Sequence, residues 1–247
     1  MDGNAERSAE PEPKHAACGK DRPACLELHL WRIPGIFVVD KPAGPSSFGV
    51  IRAARRELGI RKIGHAGTLD PMAAGVLILG VGRGTKLLSS LAKADKAYRV
   101  ALRLGERTDT YDTTGTTIER ADASAVDRAR LEEAALRFRG EIEQVPPMYS
   151  ALKRDGTPLY KLARKGVEVE REPRLVAISS IAVVSFEPPE AVLDVECSKG
   201  TYVRSLVDDI GKALGCGAVM TALTRTRVGP FRIEEARRLG ALLSGRD

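Results

Sequence analysis

Gly64-His65-Ala66-Gly67-Thr68-Leu69-Asp70-Pro71, running on through Met72-Ala73-Ala74-Gly75-Val76-Leu77, is the stretch on which the reading of this chain turns. It is a carboxylate in a constrained loop, followed at once by an apolar run. Proline at 71 pushes Asp70 out of helical backbone and into an extended conformation. Gly64 and Gly67 permit a sharp bend or a close approach of main chain to a ligand. His65 precedes the carboxylate by five positions. An isolated Asp-Pro is ordinary turn chemistry, so its surroundings must decide what this one does. The segment has no G-x-x-x-x-G-K-[ST], which excludes a phosphate-binding P-loop.

Upstream, the apolar residues at 36–39 signal a strand that ends in Asp40-Lys41-Pro42 and a Gly/Pro turn. Ser46 or Ser47 then caps a helix reaching about residue 58, with Val50, Ile51, Ala54 and Leu58 on one face. Residues 59–70 read as a loop rich in glycine and basic side chains. Downstream, 76–81 is a short apolar run, 85–91 a helix, 98–104 an alternating strand and 124–139 an amphipathic helix. Strand-like runs follow at 176–185 and 192–197, then a helix over 203–214, a strand near 218–224 and a short helical pattern at 234–243. Strands and helices mix without a regular βαβ alternation. That predicts an α+β fold with a mixed, largely antiparallel sheet flanked by helices.

The 247 residues suit one large domain or two small ones. No apolar run approaches the roughly 20 residues that span a bilayer, and no apolar signal region opens the chain. Four cysteines are too few for a disulfide scaffold. A cytoplasmic location without a membrane partner is therefore expected. Residues 1–33, with five basic and six acidic side chains, read as a disordered tail. His15, Cys18, Cys25 and His29 within it have zinc-ligand chemistry, but their spacing is not that of a zinc site, and no metal is expected. The rest of the chain carries 34 basic against 27 acidic residues, a balance that suits a polyanion such as nucleic acid. Aromatic residues make up only 4%, too few for a broad base-stacking platform.

Two further segments carry chemistry. Lys96-Ala97-Tyr98-Arg99-Val100 sets a tyrosine among basic neighbours, where the ring can stack on a base and the hydroxyl can hydrogen-bond. Cys197-Ser198-Lys199-Gly200-Thr201-Tyr202-Val203-Arg204 leads into a helix, and its start suits an anion. Arg204 has an alternative partner four residues on, Asp208.

Taken together and in order, G-H-x-G-x-L-D-P, K-x-Y and C-x-K-G-T-Y-V-R resemble the TruB family of tRNA pseudouridine synthases. Val39-Asp40-Lys41-Pro42-Ala43-Gly44-Pro45-Ser46-Ser47 and Pro147-Met148-Tyr149-Ser150-Ala151-Leu152-Lys153 extend the likeness, which covers about residues 36–227. The resemblance implies isomerisation of a T-loop uridine, position 55 of tRNA, to pseudouridine, with the base flipped out and no cofactor. It implies Asp70 as the catalytic carboxylate, Arg204 as its partner, Tyr98 stacked on the uracil and Tyr202 in the same network. It further implies that His65 contacts the T-loop, that Lys41 stands near the site and that Leu223 lines the pocket. Arg55, Arg56, Arg61 and Lys62, just before the catalytic loop, are expected to meet the T-arm backbone. Residues 34–247 are expected to form the catalytic domain without the C-terminal RNA-binding module of PUA type found in many relatives. A monomer with no obligatory protein partner is expected, in contrast to dyskerin-like synthases, which depend on guide RNA and partner proteins.

Overall fold

Ser46 starts the first helix as its side chain predicts: the hydroxyl accepts from Gly49 N at 3.0 Å, and Gly59 ends the helix in left-handed backbone. The computed structural model describes residues 35–238. Its elements are β1 (Ile36–Lys41), α1 (Ser47–Leu58), β2 (Ile63–Ala66), β3 (Ala74–Val81), α2 (Leu88–Leu91), β4 (Lys96–Leu104), β5 (Glu106–Thr108), β6 (Thr117–Arg120) and α3 (Arg128–Leu136). There follow β7 (Gly140–Gln144), β8 (Lys153–Arg154), β9 (Thr157–Pro158), α4 (Leu159–Ala163), β10 (Arg174–Glu187), β11 (Glu190–Cys197), α5 (Val203–Leu214), β12 (Ala218–Val228), β13 (Phe231–Arg232) and β14 (Arg237–Arg238).

Ten strands join in one sheet, ordered β14-β1-β3-β12-β4-β11-β10-β7, with β2 paired to β3 and β13 to β12. Among the described strands of this sheet, only the β1–β14 and β3–β12 pairings are parallel. The sheet is thus mixed and largely antiparallel, as expected. Helix α5 is buried along most of its length, with Val203, Leu206, Val207 and Ile210 packed into the main core against Leu102, Met220 and Leu223. A second core joins α1 to β1 and β3 through Val50, Ile51, Ala54, Val39 and Leu77.

The centre of the sheet positions the site. Arg225 on β12 is opposite Tyr98 on β4 and Gly75 on β3, so three adjacent strands meet at one level. Gly75 is required there. Its φ is +98°, and a β-carbon would fall 2.3 Å from the Arg225 carbonyl oxygen.

Several expectations change. Residues 59–70 are not all loop, because Ile63–Ala66 pairs with β3. The helix expected over 124–139 spans only Arg128–Leu136, because the Asp127 carboxylate caps it by accepting from Arg130 N at 2.8 Å. The helix expected over 85–91 is a 3-10 segment, Gly82–Leu87, followed by the single turn of α2. In place of a helix at 234–243, a 3-10 turn at Ile233–Glu235 leads into β14, and residues from 239 on are outside the described residues. The expected tail, with His15, Cys18, Cys25 and His29, is outside them too.

Candidate active site

Asp70 follows β2 and precedes β3 on a loop held from several sides. Ser47, the first residue of α1, clamps Leu69 in both directions: its hydroxyl accepts from Leu69 N at 2.8 Å and donates to Leu69 O at 3.0 Å. Lys41, fully buried at the end of β1, donates to the carbonyls of Ala73 at 2.6 Å, Pro42 at 2.8 Å and Pro71 at 3.3 Å. Arg225 donates to the carbonyls of Val76 at 2.8 Å, Gly67 at 3.2 Å and Thr68 at 3.4 Å. The carboxylate is therefore presented by a braced backbone, with 39% of its side chain exposed.

Arg204, one residue into α5, brings its guanidinium to this loop. One terminal nitrogen is 3.0 Å from Asp70 Oδ2, and the other is 3.4 Å from Asp112 Oδ2. The same two nitrogens donate to the carbonyls of Tyr149 and Thr110. Asp112 is itself buried and held by threonines, accepting at Oδ1 from Thr110 Oγ1 at 2.8 Å and from Thr114 N at 2.9 Å. A cation thus sits between two carboxylates. Asp208, the alternative partner of Arg204, is instead taken by Arg107 at 2.8 Å and Lys212 at 2.6 Å.

A cavity of about 280 Å³ opens beside this pair, with Asp70, Tyr98, Tyr202, Arg204, Leu223 and Arg225 in its walls. An adjoining cavity of about 610 Å³ shares Asp70 and Arg204 and carries His65, Phe48, Met72, Tyr149 and Tyr160. The structure therefore brings Asp70, Tyr98, Tyr202, Arg204 and Leu223 to one space and His65 to the next. Lys41 belongs beneath them as a brace. The Gln144 side chain fixes the start of α5, accepting from Tyr202 N at 2.7 Å and donating to Tyr202 O at 3.1 Å.

Burial raises the Asp70 pKa above the usual carboxylate range, with Asp112 adding to the push and Arg204 opposing it. Burial also raises Tyr98 and Tyr202, keeping both phenols protonated. His65 is lowered by burial and by the Arg225 charge, which favours neutral imidazole. Lys41 falls from its ordinary 10.5 to about 8 through burial, with Asp70 pulling the other way. Among the described residues no group of three or more His, Cys, Asp or Glu is arranged to hold a metal ion.

The basic residues before the loop divide. Arg56, Arg61 and Lys62 are exposed. Arg55 is half-buried and donates to Ile63 O at 2.8 Å, so its main work is joining α1 to β2. Sequence reading missed Asp112 and Arg225. The signal for Asp112 was its run of neighbouring threonines, a ready set of hydroxyl donors for a buried carboxylate.

Residues 55–203 match the TruB family pseudouridylate synthase N-terminal domain, and residues 204–244 match the tRNA pseudouridylate synthase B C-terminal domain. The chain belongs to the TruB family. The boundary between the two matches falls at the start of α5, yet β12 from the second is hydrogen-bonded between β3 and β4 from the first. Both matched parts therefore build one site. The chain is 51% identical over 212 residues to tRNA pseudouridine synthase B of Bordetella avium, covering 85% of this chain and 87% of the relative. With the enzyme of the same name from Pseudomonas aeruginosa it shares 54% over 204 residues, 83% of this chain and 67% of the relative. Among solved structures, the fold is similar to a chain of a Cbf5-Nop10-Gar1 complex, with TM-score 0.69, 31% identity and 93% of this chain covered. It is also similar to a chain of an H/ACA ribonucleoprotein bound to a substrate RNA containing 2′-deoxyuridine, with TM-score 0.65, 28% identity and 93% covered. This TruB chain spans 60% of the length of each of those two. By sequence and by fold it is a pseudouridylate synthase.

Proposed function

We propose that the chain isomerises the T-loop uridine of tRNA, position 55, to pseudouridine, with Asp70 as the catalytic carboxylate and no cofactor. The observation that carries this reading is the Asp70–Arg204 pair, 3.0 Å apart, in the wall of a cavity that also holds Tyr98, Tyr202 and Leu223. The C1′–N1 bond breaks with its electron pair passing to the base. The base turns, C5 bonds to C1′, the C5 proton leaves and N1 gains a proton. Atoms and electrons balance without a redox partner. Asp70 can serve by attack at C1′ or by removing the 2′ proton, and either role needs it ionised. Arg204 favours that form against the cost of burial.

In this reading Tyr98 stacks on the flipped uracil, Tyr202 completes the polar network, Leu223 walls the pocket and His65 meets the loop that the uridine has left. Flipping costs a few kcal/mol, offset by stacking and phosphate contacts. Exposed Arg56, Arg61 and Lys62 meet the T-arm phosphates. The protein acts as a monomer without guide RNA, a choice supported by its roughly 50% identity to enzymes named tRNA pseudouridine synthase B.

The test is release of tritium from uridine C5 in a bare tRNA transcript. The parent protein should release it without added protein or RNA, and Asp70→Asn should abolish release while tRNA binding persists. Substantial release by Asp70→Asn would overturn the assignment. Failure of the parent on bare tRNA would overturn the stand-alone reading.

A further inference from the structure

Arg225 has only 1% of its surface exposed. Among the described residues it donates to the carbonyls of Val76, Gly67 and Thr68 and hydrogen-bonds the Tyr98 side chain, and none of these partners is a carboxylate. A buried cation without a countercharge is costly, and bracing a loop does not by itself require a permanent charge. Its placement suggests what the charge is for. Arg225 is directly across from Tyr98 in the β12–β4 register and forms part of the wall of the same cavity as Asp70. Its positive charge is felt by Lys41, His65, Lys96 and Tyr98, which surround that space.

The other two cations in the cavity wall are held differently. Arg204 is held between Asp70 and Asp112 and is more than neutralised. The Lys96 ammonium donates to the carbonyls of Ala92 and Ala94 beside the single turn of α2, where the backbone is electronegative. Of the three cations in the wall, Arg225 is the most deeply buried and the one directly opposite Tyr98.

We propose that Arg225 stabilises the negative charge that the uracil ring takes on when the C1′–N1 bond breaks. This rests on the uridine isomerisation argued above. The departing electron pair settles on N1 and spreads to the ring oxygens, and a fixed cation in the cavity wall lowers the energy of that species without having to reorganise.

The experiment compares single-turnover cleavage of tRNA carrying uridine or 5-fluorouridine at the target. Cleavage is read as loss of the target nucleoside from digests, because fluorine at C5 blocks the final proton loss. Fluorine withdraws electrons and makes the ring a better leaving group, so it depends less on an external cation. Arg225→Gln should slow uridine cleavage by about 100-fold and 5-fluorouridine cleavage at least tenfold less. Arg225→Lys, which keeps the charge and loses the fork, should stay within about tenfold of the parent with the parental ratio of the two rates. An unchanged ratio in Arg225→Gln would overturn the proposal and leave Arg225 as a loop brace. Should the glutamine variant not fold, Arg225→Lys decides alone, since a loss of about 100-fold at the parental ratio would equally overturn it. Failure of the parent protein on uridine itself would instead strike at the isomerase reading.

Discussion

Removing Arg204 should move the pH at which the enzyme switches on, and the structure gives the size of the move. Arg204→Met deletes the cation 3.0 Å from Asp70 and leaves Asp112, formerly 3.4 Å from the same guanidinium, without that countercharge. Burial and Asp112 both raise the Asp70 pKa, and Arg204 is the main opposing influence. Unit charges about 4 Å apart attract by about 1 kcal/mol in water and about 4 kcal/mol near a protein surface. With 39% of the Asp70 side chain exposed, solvent screening puts the value between those limits, at about 1.5–3 kcal/mol. At about 1.4 kcal/mol per pH unit, that is a shift of about 1–2 units. In the proposed mechanism the carboxylate is the active form, so the acid limb of kcat/KM should move upward. The assay is tritium release across about pH 5 to about pH 9. Arg204→Lys keeps a charge but not the two-pronged contact, so its limb should move by less than about half a unit while its plateau falls. An acid limb that stays at the parental pH in Arg204→Met, with only the plateau lowered, would refute the electrostatic account.

Four other consequences can be checked. Asp112→Asn keeps the shape and removes a charge that raises Asp70, so the acid limb should move down by less than about one unit. Its plateau should also fall, because Arg204 loses its second carboxylate; an upward shift in the same pH profile would contradict this. Lys41 holds its proton less tightly folded, at about 8, than its ordinary 10.5, so its burial costs stability at low pH and the cost fades as pH rises through that window. The parent should therefore gain up to about 3 kcal/mol more than Lys41→Met in denaturant unfolding across that window, and parallel pH dependences would count against it. Arg55→Ala should lower thermal stability, whereas combined loss of Arg56, Arg61 and Lys62 should weaken tRNA binding and flatten its salt dependence, as filter-binding titrations would report. Gly75→Ala should lose 3 kcal/mol or more, about what backbone overlap with Arg225 at a positive φ implies, read as the midpoint of thermal unfolding.

What the sequence disclosed follows from where each interaction is encoded. Helices α1 and α5 and strand β1 were readable because their signals are local: a capping serine, a left-handed glycine at each helix end, and apolar residues at the right period. Strand β2 was hidden because its four residues owe their strand character to pairing with β3, a tertiary fact. Helix α3 was overextended because periodicity ran past the Asp127 cap that limits it. Asp70, Tyr98 and Arg204 were found through motif resemblance, yet no local pattern said that Arg204 would choose Asp70 and Asp112 over Asp208 four residues away. That choice is tertiary: Arg107 and Lys212 take Asp208, and the loops carrying Asp70 and Asp112 bring their carboxylates to the buried guanidinium of Arg204. Arg225 shows the same logic in a strand. Along β12 the buried positions Leu223 and Arg225 are two apart and share a face, so the alternation already assigned the arginine to the apolar side. A charge at a core-facing position is unfavourable unless something there uses it, and that contradiction between pattern and residue type is the sequence-level mark of this part of the site.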